Sequence, residues 1–284
     1  MPPPAALTAV AMLVAATLAA QVKFTSRIDS VRLDALVTRD GRPVLGLTAD
    51  DFEVRDNGTL QQVTLLGAGS LPLDVILTLD ESASLTPERL DILRGATDAL
   101  LSALTENDRA ALATFSHQVI HRQALTPAFD LIRGALAGVR PSGATSLIDA
   151  MYAAIAMAEP GDHRSLLIVF SDGIDTTSWL RPEAVVQAAR RSDVVVYAVS
   201  TAGARQTPQM LRDVTKSTGG KVLEVDSAAL ASAFVQILDE FRQRYVLSYS
   251  LQRAPSAGWH RIDVRVKQRG TSVKARSGYH VAPK

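Results

Sequence analysis

Short, uninterrupted apolar runs rich in β-branched residues constrain this chain most. Val75-Ile76-Leu77-Thr78-Leu79, Leu166-Leu167-Ile168-Val169-Phe170 and Val194-Val195-Val196-Tyr197-Ala198-Val199 lack the in-out alternation of a half-exposed strand. Runs of this kind are expected where a strand is covered on both faces, as in a parallel sheet. Between and after them the periodicity is helical. From Pro87 to Leu104, Leu90, Leu93, Ala96, Leu100 and Leu104 fall at three- and four-residue steps on one face, behind a Thr86-Pro87 start. Further helices are expected from Thr126-Pro127 to about Gly138, over Leu147–Ala158, Pro182–Arg191 and Pro208–Thr218, and over Ala228–Arg244 with Ser227 as its cap. Ala110–Phe115 reads as a strand with Val119–Ala124 folding back on it, and Lys221–Val225 as a short strand. Strands alternating with helices predict an α/β fold, a doubly wound, mostly parallel sheet with helices on both faces.

The flanks change period. Val31, Leu33, Ala35 and Val37 alternate with Arg32, Asp34, Leu36 and Thr38. Asp40-Gly41 and Asn57-Gly58 are tight-turn pairs. After Arg244, Tyr245–Leu251 is one β run. His260, Ile262, Val264 and Val266 then alternate with Arg261, Asp263, Arg265 and Lys267. Neither flank alone has enough strands to bury a core. The two are therefore expected to join in one small β-sandwich-like domain, residues 21–72 pairing with 245–284, with 73–244 inserted between them. Gly67 to Pro72 reads as a linker.

Composition bounds the function. With 284 residues and 47% apolar residues the chain can build a large core and a small one. A net charge of +1 gives no nucleic-acid footprint, and the absence of cysteine excludes disulfides, thiolate metal sites and cysteine nucleophiles. Residues 1–20 carry an uncharged apolar stretch from Ala5 to Leu18, ending in Thr17-Leu18-Ala19-Ala20. This predicts a cleaved export signal, although the usual Lys or Arg before the stretch is missing. An uncleaved anchor is the alternative, and no later segment is apolar enough to span a bilayer. The mature chain is expected in the periplasm or outside the cell.

Asp80-Glu81-Ser82-Ala83-Ser84 follows the first apolar run, on the loop at the carboxyl end of a central strand, where open α/β sheets place ligands. Alone, this loop reads equally as a turn, because Asp and Ser are common turn residues. Gly143-Ala144-Thr145-Ser146 precedes a helix, and Ser171-Asp172-Gly173 ends the second apolar run. Asp80-x-Ser82-x-Ser84, Thr145 and Asp172, in this order and context, resemble the metal-ion-dependent adhesion site of the von Willebrand factor A domain family. The resemblance covers about 73–244 and fills every motif position. Asp51-Phe52-Glu53-Val54, Asp56-Asn57-Gly58, Tyr245–Tyr249 and Arg276–Tyr279 further resemble an exported bacterial group common in Acidobacteria.

The resemblance implies that Ser82, Ser84 and Thr145 give oxygens to Mg2+ or Mn2+, with Asp80 and Asp172 acting mostly through waters. Ca2+ is not distinguished from these. Neutral hydroxyls leave such a cation most of its charge. Its open position then suits a carboxylate, so the expected partner is a protein offering Asp or Glu. The implied activity is non-enzymatic, adhesion-type binding at the bacterial envelope. An envelope scaffold with a purely structural metal is the alternative, and a metal-dependent hydrolase a more distant one. Against the last, no His lies in the motif stretches, and no Gly-x-Ser-x-Gly, phosphate loop or dinucleotide fingerprint is present. His117 and His121 read as surface residues, Asp175 as a supporting hydrogen-bonding residue, and Glu81 as pointing into solvent. Tyr249 and Tyr279 are core or edge aromatics. The basic positions from Arg253 to Lys284 read as a solvated strand face.

Overall fold

The computed structural model describes residues 30–69, 71–172, 174–201, 207–251 and 256–281. The expected export signal, residues 1–20, lies outside them. In chain order the elements are β1 (Ser30–Arg39), β2 (Arg42–Pro43), β3 (Phe52–Asp56), β4 (Thr59–Gln61) and β5 (Thr64–Ala68). Then come β6 (Leu73–Asp80), α1 (Pro87–Ser102), β7 (Arg109–Phe115), β8 (Val119–Thr126), α2 (Phe129–Ala137), α3 (Leu147–Ala156), β9 (Arg164–Phe170) and α4 (Pro182–Arg191). Next are β10 (Val195–Thr201), α5 (Gln209–Thr218), β11 (Val222–Val225) and α6 (Leu230–Arg242). Finally there are β12 (Tyr245–Ser250), β13 (Gly258–Val266), β14 (Ser272–Lys274) and β15 (Gly278–Val281).

The middle of the chain forms the expected sheet, in the order β11-β10-β9-β6-β7-β8, parallel except for β8. Alternate residues of β6 face opposite layers. Leu73, Val75, Leu77 and Leu79 pack with α1, α2 and α6, while Ile76 packs with α3, α4 and α5. From β6 the chain moves one way to β7, and from β9 the other way to β10. The loops leaving β6 and β9 therefore diverge, which opens a crevice at the carboxyl ends of these two neighbours. Leu79 lies opposite Phe170 in that ladder, so Asp80 and Asp172 emerge side by side.

The flanking strands combine as expected. β14-β1-β12-β5 forms one sheet, with β2 beside β1, and β15-β13-β3-β4 forms the other. Val31, Leu33, Ala35, Val37, Tyr245 and Leu247 of the first face Phe52, Val54, Ile262 and Tyr279 of the second in a common core. Both predicted turn pairs take left-handed backbone, Asp40 and Gly41 at φ 50° and 75°, Asn57 and Gly58 at 47° and 84°. Arg261 and Arg265 of β13 are exposed while His260 and Ile262 are buried, the solvated basic face that was expected.

Two fully buried arginines fasten the sandwich to the α/β unit. Arg164 donates to Asp34 Oδ1 at 2.7 Å and to the Phe241 carbonyl at 2.8 Å. Arg244 donates to the Tyr197 hydroxyl at 2.9 Å and the Gly219 carbonyl at 2.6 Å.

Local expectations fail where strand pairing outweighs composition. Gly67 and Ala68 of the expected linker belong to β5, opposite Val246 and Tyr245 of β12. Thr126 ends β8 and does not cap a helix; its hydroxyl accepts from Ala128 N, and α2 starts at Phe129. Ser227 likewise is not a cap. It opens a 3-10 turn, Ser227–Ala229, so α6 runs only from Leu230 to Arg242.

Candidate metal centre

The first motif loop is set by the end of β6 and the start of α1. Thr86 accepts from Arg89 N at 3.3 Å, with Pro87 in the first helical position, as its sequence predicts. Asp80 is 1% exposed. Its Oδ1 accepts from Ser82 N at 2.9 Å, and its Oδ2 from the Ser171 hydroxyl at 2.7 Å. Ser82 Oγ lies 3.0 Å from Ser84 Oγ, and Ser84 Oγ donates to Asp172 Oδ1 at 2.9 Å. Arg89 Nη1 donates to Asp172 Oδ2 at 3.1 Å. One chain of hydrogen bonds thus joins Ser82, Ser84 and Asp172, and backbone bonding adds Asp80.

Thr145 is buried, on a neighbouring loop whose Ser142, Gly143 and Ala144 are exposed. Ser142 N donates to the Glu81 carbonyl at 2.8 Å and Ala83 N to the Gly143 carbonyl at 3.0 Å, which lays this loop along the first. Thr145 N donates to Thr176 Oγ1 at 3.0 Å, and Thr176 N to the Thr145 carbonyl at 2.8 Å, which ties it to the third. Its own hydroxyl makes no hydrogen bond to the other motif residues among the described contacts. Asp175 supports this junction. It accepts from Ile148 N at 3.2 Å and Ser178 Oγ at 2.5 Å, capping the first turn of α3.

Glu81 corrects its expectation. It is buried, and Arg122 Nη2 grips its carboxylate oxygens at 3.0 and 2.9 Å. His117 and His121 are exposed, as expected. His117 nevertheless reaches the second motif loop, because a Cβ on Gly143, at φ +76°, would collide with its imidazole. Sequence spacing gives no sign of that approach, since His117 belongs to the β7–β8 turn.

The electrostatics are unbalanced. Burial pushes the Asp80 carboxyl above its ordinary range, against the hydrogen bonds from Ser82 and Ser171, and nearby Asp172 adds to the rise. Asp172 has Arg89 as a counter-charge, whereas among the described residues Asp80 accepts from the neutral donors Ser82 N and Ser171 Oγ. Among the described residues no three His, Cys, Asp or Glu side chains gather as a ligand cluster. The hydrogen-bonded group offers two carboxylates and the hydroxyls of Ser82 and Ser84, with Thr145 on the loop laid alongside. That all-oxygen, net-negative set fits a hard divalent cation and not a soft one.

Comparison with known proteins agrees with this architecture. The model of the von Willebrand factor type A domain matches residues 74–237. The chain belongs to this family. VWA domains are characteristically non-catalytic protein-interaction modules. Human inter-alpha-trypsin inhibitor heavy chain H4 is 25% identical over 139 residues, 44% of this chain and 15% of that one. The chain thus spans a small part of this curated relative. Among solved structures, proximal thread matrix protein 1 of the mussel byssus, with zinc in its metal-ion-dependent adhesion site motif, superposes with a TM-score of 0.57. It is 16% identical and covers 67% of this chain and 50% of its own. A von Willebrand factor type A protein from Catenulispora acidiphila superposes at 0.53 with 12% identity, over 89% of this chain and 74% of its own. At such identities the likeness concerns the fold. The kinship reaches bacterial, molluscan and human VWA proteins, and not the acidobacterial group in particular.

Proposed function

We propose that this VWA protein binds an acidic side chain, Asp or Glu, of a partner protein through a divalent cation. Ser82, Ser84 and Thr145 would hold the ion directly, with Asp80 and Asp172 acting through its waters. Mg2+ is the first candidate, with Mn2+ and Ca2+ as alternatives. The bound ion would supply a positive charge with an exchangeable position for a carboxylate oxygen. The observation that carries this reading is the buried Asp80, which among the described residues has no cationic partner, while Ser82 and Ser84 are already linked to Asp172. The zinc-bearing motif of the mussel relative supports it.

The chain's own residues do the positioning. Ser171 and Ser82 N hold Asp80, Ser84 orients Asp172, and Thr176 with Asp175 sets the Thr145 loop. Export to the periplasm or beyond, at the cell envelope, is supported by the apolar Ala5–Leu18 segment. Among the described residues no helix is long and apolar enough to cross a membrane.

Calorimetric titration of the purified chain with Mg2+ and Mn2+ tests the site. Saturable uptake that disappears in Asp80→Ala is expected, and no uptake by the parent chain would end the reading. Partner capture from envelope extract with and without EDTA then separates a cation clamp from a scaffold whose β-sandwich makes the contacts.

A further inference from the structure

Arg89 is out of place as a helix residue. It occupies the third position of α1, where the positive end of the helix dipole disfavours a cation. Its guanidinium turns to Asp172 Oδ2 at 3.1 Å, while Ser84 takes Oδ1. Asp172 is thereby committed at both oxygens, and its side chain is 3% exposed against 44% for Arg89. One end of this pair is fixed in the crevice. The other stands at the surface and can turn outward without disturbing the core.

We propose that Arg89 is a tethered cation that changes partners. It neutralises Asp172 before a divalent ion binds and pairs with the incoming ligand's carboxylate afterwards. The inference rests on the metal reading above and deepens it by naming a residue that selects the acidic ligand. A divalent charge arriving beside Asp172 repels the guanidinium, so the ion and Arg89 compete for one carboxylate. A carboxylate that gives one oxygen to the cation still has a second free. A guanidinium beside the cation is suited to take it, because its planar donors match carboxylate geometry. Ion and acidic ligand then reinforce each other, and by linkage each tightens the other's binding by the same factor.

The test is Mn2+ titration of the full chain, followed by the electron paramagnetic resonance signal of free Mn2+. It is done with and without N-acetylglutamate amide, a probe whose only carboxylate is a glutamate side chain. Without the probe, Arg89→Ala is expected to bind Mn2+ about two- to fivefold tighter than the parent, the range of a partly exposed ion pair. With the probe, the parent gains affinity for Mn2+, and Arg89→Ala gains clearly less. Arg89→Lys, which keeps the charge but loses the planar fork, falls between them. A merely structural arginine would not give this crossing pattern. The proposal falls if Arg89→Ala binds Mn2+ no tighter than the parent, or if the probe tightens both chains equally; in either case the metal reading stands. Absence of Mn2+ uptake in every chain removes the metal reading and this inference with it.

Discussion

Arg122 Nη2 holds Glu81 by both carboxylate oxygens, at 3.0 and 2.9 Å, while its Nε donates to Thr114 Oγ1 at 2.7 Å. Glu81 stands between Asp80 and Ser82, so this pair fixes which way the residues on either side of it point. Arg122→Ala would leave a buried carboxylate without its partner. A loss of about 3 kcal/mol is expected in urea unfolding, together with weaker Mn2+ uptake. In Glu81→Gln/Arg122→Ala much of the stability should return, since no unpaired charge remains.

Asp175 is expected to matter to the site without touching the ion. Asp175→Ala removes the acceptor for Ile148 N and Ser178 Oγ, the cap of α3 beside Thr145. Stability should fall by about 1 kcal/mol. Mn2+ affinity should fall by at least an order of magnitude, as for other residues that orient metal ligands. Titration of the folded variant checks this, and unchanged affinity would place Asp175 outside the site's support.

Acid should act on the junction of β6 with α6. Burial pushes Asp108 up, but hydrogen bonds from Thr105, Arg242 and Leu73 N outweigh it, and its carboxyl lies below the ordinary range. A lowered carboxyl pKa contributes stability that is present above the unfolded value, about 3.9, and is lost as pH falls through the folded one. Asp108→Asn should therefore flatten the fall in melting temperature below about pH 4.

Alkali should act on the sandwich. Tyr249 and Tyr279 both donate to Asp56 Oδ2, at 2.9 and 2.8 Å, and His260 Nδ1 lies 3.1 Å from Asp56 Oδ1. Burial first and Asp56 second push both phenols well above the ordinary tyrosine range. Stability from a raised pKa is complete below the unfolded value, about 10, and is lost as pH climbs toward the folded one. Tyr249→Phe should be less stable than the parent at neutral pH by about 1.5–3 kcal/mol, the worth of a hydrogen bond to a charged group. It should also lose less stability than the parent between pH 10 and 11. Unfolding monitored at both ends of that range measures the difference.

The α/β sheet was legible because β6, β9 and β10 are covered on both faces, and only apolar β-branched runs satisfy that. Thr86-Pro87 was legible because a cap acts on its own neighbours. Thr126-Pro127 looked the same and differs because β7 draws Thr126 into its ladder opposite Ala110. Glu81 misled because its partner is forty-one residues away on β8. Arg164 and Arg244 were invisible for a similar reason. An arginine in a sequence suggests surface, and only the assembled junction supplies Asp34, Tyr197 and the carbonyls that let these two be buried. The motif residues Asp80, Ser82, Ser84, Thr145 and Asp172 were nameable from type and order, whereas Arg89's part in the site needed its distance to Asp172.

β12 lies between β1 and β5, antiparallel to both. On a ribosome β1 and β5 therefore emerge long before the strand that separates them, and their hydrogen-bonding edges must wait while the α/β unit is made. Such delay exposes a chain to mispairing with its neighbours. Vectorial synthesis should thus leave a truncated nascent chain ending near Arg244 with a finished α/β unit and unprotected leading strands, a state that pulse proteolysis of stalled chains would register.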